Sequence, residues 1–210
     1  MSTDRFSDEA ATWDEQPDRV QRAREVGEAI RGAIPLRPDM TVLEIGGGTG
    51  LLARSLADQI GTATVTDIAP GMVETATAAL ADGRYAGWRA QRYDIEHDPL
   101  PAERYDAVIS LLALHHMGDV AAVIARTFEL LAPGGWLAVA DLDLDADGGF
   151  HSHVPDFDGH HGFDRDTVRG WLEAAGFEEV ALTTAAQESK VVDGVEQLFP
   201  LFLATGRRPR

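Results

Sequence analysis

Cysteine is absent from the 210 residues of the sequence. This absence excludes disulfides, thiolate metal sites and iron–sulfur clusters, together with every mechanism that needs a thiol nucleophile. The redox chemistry of the chain therefore does not indicate its cellular compartment.

Positive charge is scarce as well. The chain has 18 Lys+Arg against 35 Asp+Glu, which gives a formal net charge of −17, and Lys190 is its only lysine. Phosphate backbones and anionic lipids are bound mainly through lysine and arginine. We therefore expect neither nucleic acid nor a membrane surface as a partner.

Long apolar runs are also missing. The longest, residues 108–114, is interrupted by Ser110, and the N-terminus is polar and acidic. No membrane span or secretion signal is predicted, so we expect a cytoplasmic protein. With 44% hydrophobic and 25% charged residues, the chain is typical of one globular domain over residues 1–210. We expect this domain to be a monomer or a homodimer.

Short β-branched runs alternate with runs of helical period between residues 41 and 141. This alternation predicts βαβ units around a parallel sheet. Before it, we expect a front helix over residues 18–33, within an N-terminal cover of residues 1–40. The predicted strands are residues 41–45, 63–67, 87–93, 107–112 and 135–141, and the predicted helices between them are 51–60, 71–81 and 119–131.

The amino-acid composition changes after residue 141, and the hydrophobic periodicity ends there. Residues 142–163 are rich in Asp, Gly and His without any period, which predicts a long loop or lid. A helix over 165–175 follows. Two strands, 178–185 and 197–205, then form an antiparallel pair within residues 177–206, joined by a loop that holds Lys190.

A glycine-rich loop lies between the first predicted strand and the first helix. Glycines here let the backbone approach a ligand closely, and the helix N-terminus offers free N–H groups. A nucleotide-like cofactor is therefore expected, although residues 48–53 also fit the G-x-G-x-x-A form of the dinucleotide fingerprint. A tight turn that binds no ligand is the remaining alternative. The glycines are Gly46, Gly47, Gly48 and Gly50.

Six segments in this order resemble the class I S-adenosylmethionine-dependent methyltransferases, in particular small-molecule enzymes of types 11 and 12. They are 44–50 (EIGGGTG), 65–72 (VTDIAPGM), 93–96 (YDIE), 105–116 (YDAVISLLALHH), 131–135 (LAPGG) and 199–207 (FPLFLATGR). The resemblance implies an α/β, Rossmann-like, seven-stranded mixed sheet whose last strand is antiparallel, with helices on both faces.

The same resemblance implies S-adenosylmethionine as cofactor and assigns residues to it. The glycine loop would face its methionine part, Asp67 its ribose, Asp94 and the Ile95 backbone its adenine, and residues 111–113 its sulfonium. Two local alternatives stay open, because Asp94 could simply cap a turn and Glu44 could satisfy loop N–H groups. The further cofactor-binding residues are Glu44, Ile68, Met72, Leu111 and Leu112.

Two adjacent histidines follow the fourth predicted strand. Methyl transfer is an in-line displacement, so a base is needed only when the acceptor must lose a proton. An imidazole is suited to that task near neutral pH. Because adjacent residues do not readily face the same ligand, we predict His116 as the catalytic base, with His115 contacting the substrate or packing locally.

Further histidines in residues 142–163 could suggest a metal site. The loop lacks a fixed scaffold, and its calcium-like start at Asp143 has Val154 where the twelfth position requires Glu, so we predict no metal. We expect instead that His160 and His161, together with Phe6 and Trp13 of the N-terminal cover, contact the acceptor.

Missing motifs restrict the acceptor. No N-P-P-Y-like tetrapeptide follows the fourth strand, and thiol-dependent arsenite and cytosine-C5 methylation need cysteine. A small-molecule acceptor remains, methylated on O, N or C. The alternatives are a NAD(P)-dependent oxidoreductase, which would need a tyrosine–lysine pair or a similar acid, and a non-catalytic S-adenosylmethionine-binding module.

Overall fold

The fold was obtained as a computed structural model that describes residues 3–154 and 156–210. Residues 1 and 2 of the predicted cover and residue 155 of the predicted loop lie outside the described residues. The strands of the described part are β1 (Thr41–Ile45), β2 (Thr62–Asp67), β3 (Arg89–Arg92), β4 (Tyr105–Leu111), β5 (Leu131–Leu142), β6 (Glu178–Val192) and β7 (Val195–Arg207).

Helices precede or connect most of these strands. The α-helices are α1 (Thr3–Glu9), α2 (Pro17–Ala33), α3 (Leu51–Ser55), α4 (Pro70–Leu80), α5 (Val120–Leu130) and α6 (Arg165–Ala175). Short 3₁₀ turns cover Ala10–Glu15, Gly83–Tyr85, Leu114–His116 and Gly149–His151. Within the described residues, no helix combines the length and the apolar character that crossing a bilayer requires.

The strands form one sheet in the order β3-β2-β1-β4-β5-β7-β6. Strands β1 to β5 pair in parallel, whereas β7 is antiparallel to both β5 and β6. This topology confirms the predicted mixed sheet of seven strands. The strand order reverses between β1 and β4, and open α/β sheets bind ligands at the carboxyl ends of the strands beside such a point.

Each face of the sheet packs against its own set of helices. Val42 of β1 belongs to the apolar cluster that contains Ile30 of α2 and Leu52 of α3, and its neighbour Leu43 belongs to the cluster that contains Ile124 of α5 and Leu172 of α6. Successive strand residues point to opposite faces, so this alternation places a core on each side. The predicted helices on both faces are thereby confirmed.

The first predicted helix and the last two predicted strands have clearly different bounds in the structure. The first helix, predicted over residues 51–60, ends at Ser55, because the chain turns there toward β2, where Gly61 N donates to Met40 O at 3.0 Å. The last two strands are longer than predicted and continue to a tight turn at Asp193 and Gly194, both with positive φ. Lys190 therefore lies in strand β6 and not in a loop.

Candidate functional site

A cavity of about 430 Å³ opens at the carboxyl ends of the central strands. It extends from the glycine loop to the first residues of the chain and to the segment after β5. Most of the side chains and loops predicted to form the site line this one cavity. They are Trp13, Glu44, Gly46, Gly47, Gly48, Asp67, Ile68, Met72, Asp94, Ile95, Leu111, Leu112, His115 and His116.

The glycine loop connects β1 to α3 through three left-handed residues. Gly46, Gly48 and Gly50 have φ values of +59°, +55° and +81°. Side chains are disfavoured in this conformation, so only glycine follows this path without strain and leaves the loop surface bare. Gly47 N donates to Thr66 O at 2.8 Å, which holds the loop against β2. Gly50 caps α3 and does not line the cavity in the described structure.

Glu44 lies beneath this loop and is almost completely buried. Its Oε2 accepts a hydrogen bond from Ala53 N at 3.3 Å, in the first turn of α3. Burial raises the pKa of Glu44 to about 8, since the backbone contact and Arg54 only partly offset the loss of solvent. At pH 7 the side chain is therefore mostly neutral, in agreement with a role in supporting the loop.

Asp67 closes β2 and contacts the glycine loop. Its Oδ2 accepts from Gly48 N at 2.8 Å, and its Oδ1 accepts from Ala69 N at 2.8 Å. Burial raises the pKa of Asp67, although these N–H groups favour the charged form. Each carboxylate oxygen has a second lone pair, so the group can still accept hydrogen bonds from a ligand in the cavity.

Asp94 follows β3 and both caps a turn and lines the cavity. Its Oδ1 accepts from Glu96 N at 2.9 Å and from His97 N at 3.2 Å, and its Oδ2 lies 3.0 Å from His97 Nδ1. Burial acts to raise the pKa of Asp94, but these contacts outweigh burial and lower it. The turn-cap alternative is thus compatible with a place in the site.

The end of β4 is strained where it passes the cavity. Leu112 has a φ of +52°, and its N donates to Ala140 O at 2.9 Å. A bulky side chain is rarely found in the left-handed region, and such strain concentrates at functional sites. No glycine or asparagine marks this turn, so the sequence carries no signal for it.

His115 is a buried residue of the cavity lining and is held by an acid that sequence reasoning did not assign. Its Nδ1 lies 2.7 Å from Asp141 Oδ1, and its backbone N donates to Asp141 Oδ2 at 3.3 Å. Burial acts to raise the pKa of Asp141, but the contacts with His115 outweigh burial and hold it low. A carboxylate there fixes the ring with its proton on Nδ1, which leaves Nε2 to accept a proton.

His116 lines the same cavity as His115, although adjacent residues do not readily face the same ligand. The 3₁₀ turn Leu114–His116 brings their ring centres within 3.9 Å. Within the described part of the chain, His116 Nδ1 is buried without a hydrogen-bond partner. Burial, together with the nearby His115, lowers the pKa of His116 to about 3, so its ring is neutral at pH 7.

The N-terminal cover closes one side of the cavity. The Phe6 ring lies 5.4 Å from the His116 ring and 6.0 Å from the Trp13 ring, between centres. Asp14 ties this segment to the glycine loop, because its Oδ1 accepts from Thr49 Oγ1 at 2.5 Å and its Oδ2 pairs with Arg54.

The segment after β5, described over residues 142–154 and 156–163, forms a loop beside the cavity. Its ends meet where Asp143 pairs with Phe163, and His151 stacks on Phe157 with ring centres 3.7 Å apart. Phe150, His151, His153 and Val154 line the cavity. Among the described residues, no group of three or more His, Asp or Glu side chains has the geometry of a metal site.

His160 and His161 do not line the cavity in the described structure. The His160 ring is placed by Met117, whose carbonyl oxygen lies 3.0 Å from Nε2, and His161 packs beside Phe157 at 5.2 Å between ring centres. His151 and His153 line the cavity instead. The sequence of this loop has no periodicity that would have selected these two histidines. Sequence reasoning also missed four cavity cations, Arg5, Arg19, Arg22 and Lys190.

Comparison with protein-family models gives a match over residues 18–182 to a family described as a methyltransferase domain. Among curated proteins, the bifunctional biotin-biosynthesis protein BioCD of Bordetella avium is 44% identical over 113 residues, which cover 52% of this chain and 23% of that protein. An uncharacterised methyltransferase of Mycobacterium bovis is 40% identical over 98 residues, 47% of this chain and 48% of the relative. The matches thus span less than half of the length of these relatives.

Solved structures of the same fold include a SAM-dependent methyltransferase from Aquifex aeolicus, with a TM-score of 0.68 and 16% identity over 99% of this chain and 98% of that one. Another is the Haemonchus contortus phosphoethanolamine N-methyltransferase 2 in complex with S-adenosyl-L-methionine, with a TM-score of 0.71 and 13% identity over 98% of this chain and 60% of that one. At identities this low, the structural likeness establishes a shared fold and nothing further.

Proposed function

Because the chain belongs to the methyltransferase-domain family, we propose that it transfers a methyl group from S-adenosylmethionine to a small-molecule acceptor in the cavity described above. Membership of the family confirms the resemblance inferred from the sequence motifs. The observation that carries the proposal is that one cavity joins the glycine loop, Asp67 and Asp94 to the adjacent histidines.

The cavity has the size and chemistry for this cofactor. Its volume of about 430 Å³ lies within the range of roughly 300–1,000 Å³ that is usual for small-molecule sites. When bound, S-adenosylmethionine supplies a methyl group on a positively charged sulfur. The bare glycine loop would accommodate its methionine part, Asp67 would accept hydrogen bonds from its ribose hydroxyls, and Asp94 with the Ile95 backbone would contact its adenine.

The remaining walls would align the acceptor. An in-line displacement depends mainly on holding two reactants in position, and a closed site also excludes water. Phe6 and Trp13 from the cover, and Phe150 and His151 from the loop, line the cavity beside the two histidines. A cavity of this size favours a small acceptor over a macromolecular one.

For acceptors that lose a proton, we propose His115 as the base in preference to His116. Asp141 orients the His115 ring and stabilises the imidazolium that forms, as in other histidine–carboxylate pairs. His116 has a pKa of about 3 and is therefore a weak base at neutral pH. Its role in the proposal is to shape the acceptor pocket as a neutral ring.

An acceptor screen that measures S-adenosylhomocysteine release tests this function. With an acceptor that loses a proton, His115→Ala and Asp141→Asn should each lower kcat by roughly 10²-fold, the usual contribution of a positioned base. His116→Ala should act mainly on KM, and all three variants should keep their affinity for S-adenosylhomocysteine. A His115→Ala enzyme with unchanged kcat would contradict the assignment of the base. Tight cofactor binding without any methylated product would favour the non-catalytic binding module.

A further inference from the structure

Charge is distributed unevenly inside the cavity. Asp67, Asp94 and Glu96 are lining acids at or after the ends of β2 and β3. The lining cations Arg5, Arg19, Arg22 and Lys190 come from α1, α2 and β6, and we call these four residues the basic wall. A chain with a net charge of −17 thus places four of its few cations on one wall of its cavity.

The arginines of the basic wall are held by carboxylates. Arg5 and Arg19 both contact Glu9 at 3.0 Å, and Arg22 forms a two-pronged ion pair with Glu188. Three arginines therefore share two carboxylates, and with Lys190 the basic wall has four cations against two acids, an excess of two positive charges. The ion pairs fix the arginine side chains and so keep this excess in place.

Lys190 is the one cation of the basic wall without an ion pair among the described residues. Its Nζ donates to Phe150 O at 3.0 Å and lies 3.4 Å from the centre of the Phe150 ring. An ammonium group has three N–H donors. One bond to a carbonyl leaves two of them for a ligand, and the half-buried side chain lines the cavity.

The lowered pKa of Lys190 indicates that the positive charge around it is not fully balanced by nearby carboxylates. Burial, reinforced by the neighbouring Arg22, lowers the pKa of Lys190 to about 8, and Glu188 offsets this only in part. Lys190 and Arg5 also lower the pKa of His153, after burial, so several groups experience the same positive field. An anion placed here would relieve the repulsion among them.

A chain of rings connects Lys190 to the proposed site of methyl transfer. The Phe150 ring lies 4.9 Å from that of His151, which in turn lies 5.1 Å from that of His115. Lys190 therefore belongs to the acceptor side of the cavity, reached along aromatic rings from the histidine pair. The glycine loop and the acids that would hold the cofactor form the other side.

We propose that the basic wall binds an anionic group of the methyl acceptor, a carboxylate or a phosphate, through Lys190. This inference rests on the proposed function and narrows it, because it makes the acceptor class small anionic molecules. The aromatic rings beside Lys190 would contact the apolar body of such an acceptor.

Binding of simple probes to the full chain saturated with S-adenosylhomocysteine tests this inference. Benzoate and phenyl phosphate carry the anion, and benzyl alcohol is the neutral counterpart. Calorimetry should show the two anions binding about tenfold or more tightly than the alcohol, as expected for a charge-assisted hydrogen bond. Lys190→Met should weaken both anions by about tenfold and leave benzyl alcohol and S-adenosylhomocysteine unchanged, whereas Lys190→Arg should retain the preference.

The matched control is Arg84→Met, which removes the same charge from an exposed side chain paired with Asp82, and it should change no affinity. Equal binding of anionic and neutral probes, or undiminished anion binding by Lys190→Met, would overturn the inference. Weakened S-adenosylhomocysteine binding by Lys190→Met would also overturn it, since the wall would then serve the cofactor. The titrations are repeated without S-adenosylhomocysteine. Anion binding is then measured even if that compound fails to bind, a failure that would count against the proposed function.

Discussion

The chemistry of the two adjacent histidines is set by what each ring contacts. His115 is paired with Asp141 at 2.7 Å, and His116 is buried with an unpartnered Nδ1 among the described residues. The same type of side chain is thus paired with a carboxylate in one position and neutral without such a partner in the next, which is why we propose different roles for the two. The histidine pair was visible in the sequence, but its division of roles depends on Asp141, which lies at the end of a strand far along the chain.

Glu44 allows a residue-scale prediction about pH and stability. Its pKa in the folded chain is about 8 against an ordinary value of 4.5, so the folded state holds its proton more tightly. The resulting stabilisation is complete below about pH 4.5 and is lost as the pH rises through 8. Glutamine imitates the neutral acid and does not titrate. Glu44→Gln should therefore gain stability relative to the wild type between pH 5 and 8.5, by on the order of 2–4 kcal/mol.

Urea unfolding of the cofactor-free protein at both pH values measures this difference. The control is Glu15→Gln on the exposed surface of the cover, which should follow the wild type at both pH values. If Glu44→Gln and the wild type lose stability in parallel as the pH rises, Glu44 is ionised in the folded state and the account of it is wrong.

At the scale of elements, one acid joins the N-terminal cover to the glycine loop. Asp14 joins the cover to Thr49 of the glycine loop and to Arg54 of α3. Asp14→Ala should release the cover, lower the affinity for S-adenosylhomocysteine by about three- to tenfold, and speed tryptic cleavage at Arg19. Loss of hydrogen bonds to charged groups accounts for an effect of this size.

Calorimetry and limited proteolysis check the prediction for Asp14. Asp8→Ala removes an exposed acid from α1 and should behave as the wild type in both assays. Unchanged cofactor affinity and unchanged cleavage in Asp14→Ala would show that aromatic packing of Phe6 and Trp13 suffices to hold the cover.

The elements that sequence reasoning predicted well are those whose patterns follow from packing. Helix α5 was expected over 119–131 and spans Val120–Leu130, because its apolar residues recur at helical spacing and face the sheet. The β6–β7 extension was missed because its mixed polar composition shows no clean alternation, although Asp193-Gly194 is a standard hairpin signal. The loop over residues 142–163 carries no period, so only the fold selects which of its histidines reach the cavity.

At the scale of the whole molecule, the sheet assembles a site from residues far apart in the chain. Asp67 ends β2, His115 follows β4 and Lys190 lies in the outermost strand, β6, yet all three line one cavity. Motif order predicted the first two, because carboxyl ends of parallel strands meet at one edge. Lys190 was not predictable, since its place depends on the length of an antiparallel hairpin.

The structure also shows where the charged residues of this acidic chain lie. Most acids of the chain lie on its surface, whereas the cavity is lined both by acids that we propose hold the cofactor and by the basic wall that we propose binds the acceptor. A positively charged cofactor and an anionic acceptor would each meet the opposite charge. Such complementarity orients two ligands within one site.

The central claim, that this cavity binds S-adenosylmethionine, is tested most directly by calorimetric titration. The account predicts that S-adenosylmethionine and S-adenosylhomocysteine bind and that nicotinamide dinucleotides do not. It further predicts that Asp67→Asn weakens both ligands by about tenfold or more, through loss of charge-assisted hydrogen bonds, while Asp82→Asn on the surface leaves them unchanged. Tight dinucleotide binding without binding of S-adenosylmethionine would contradict it.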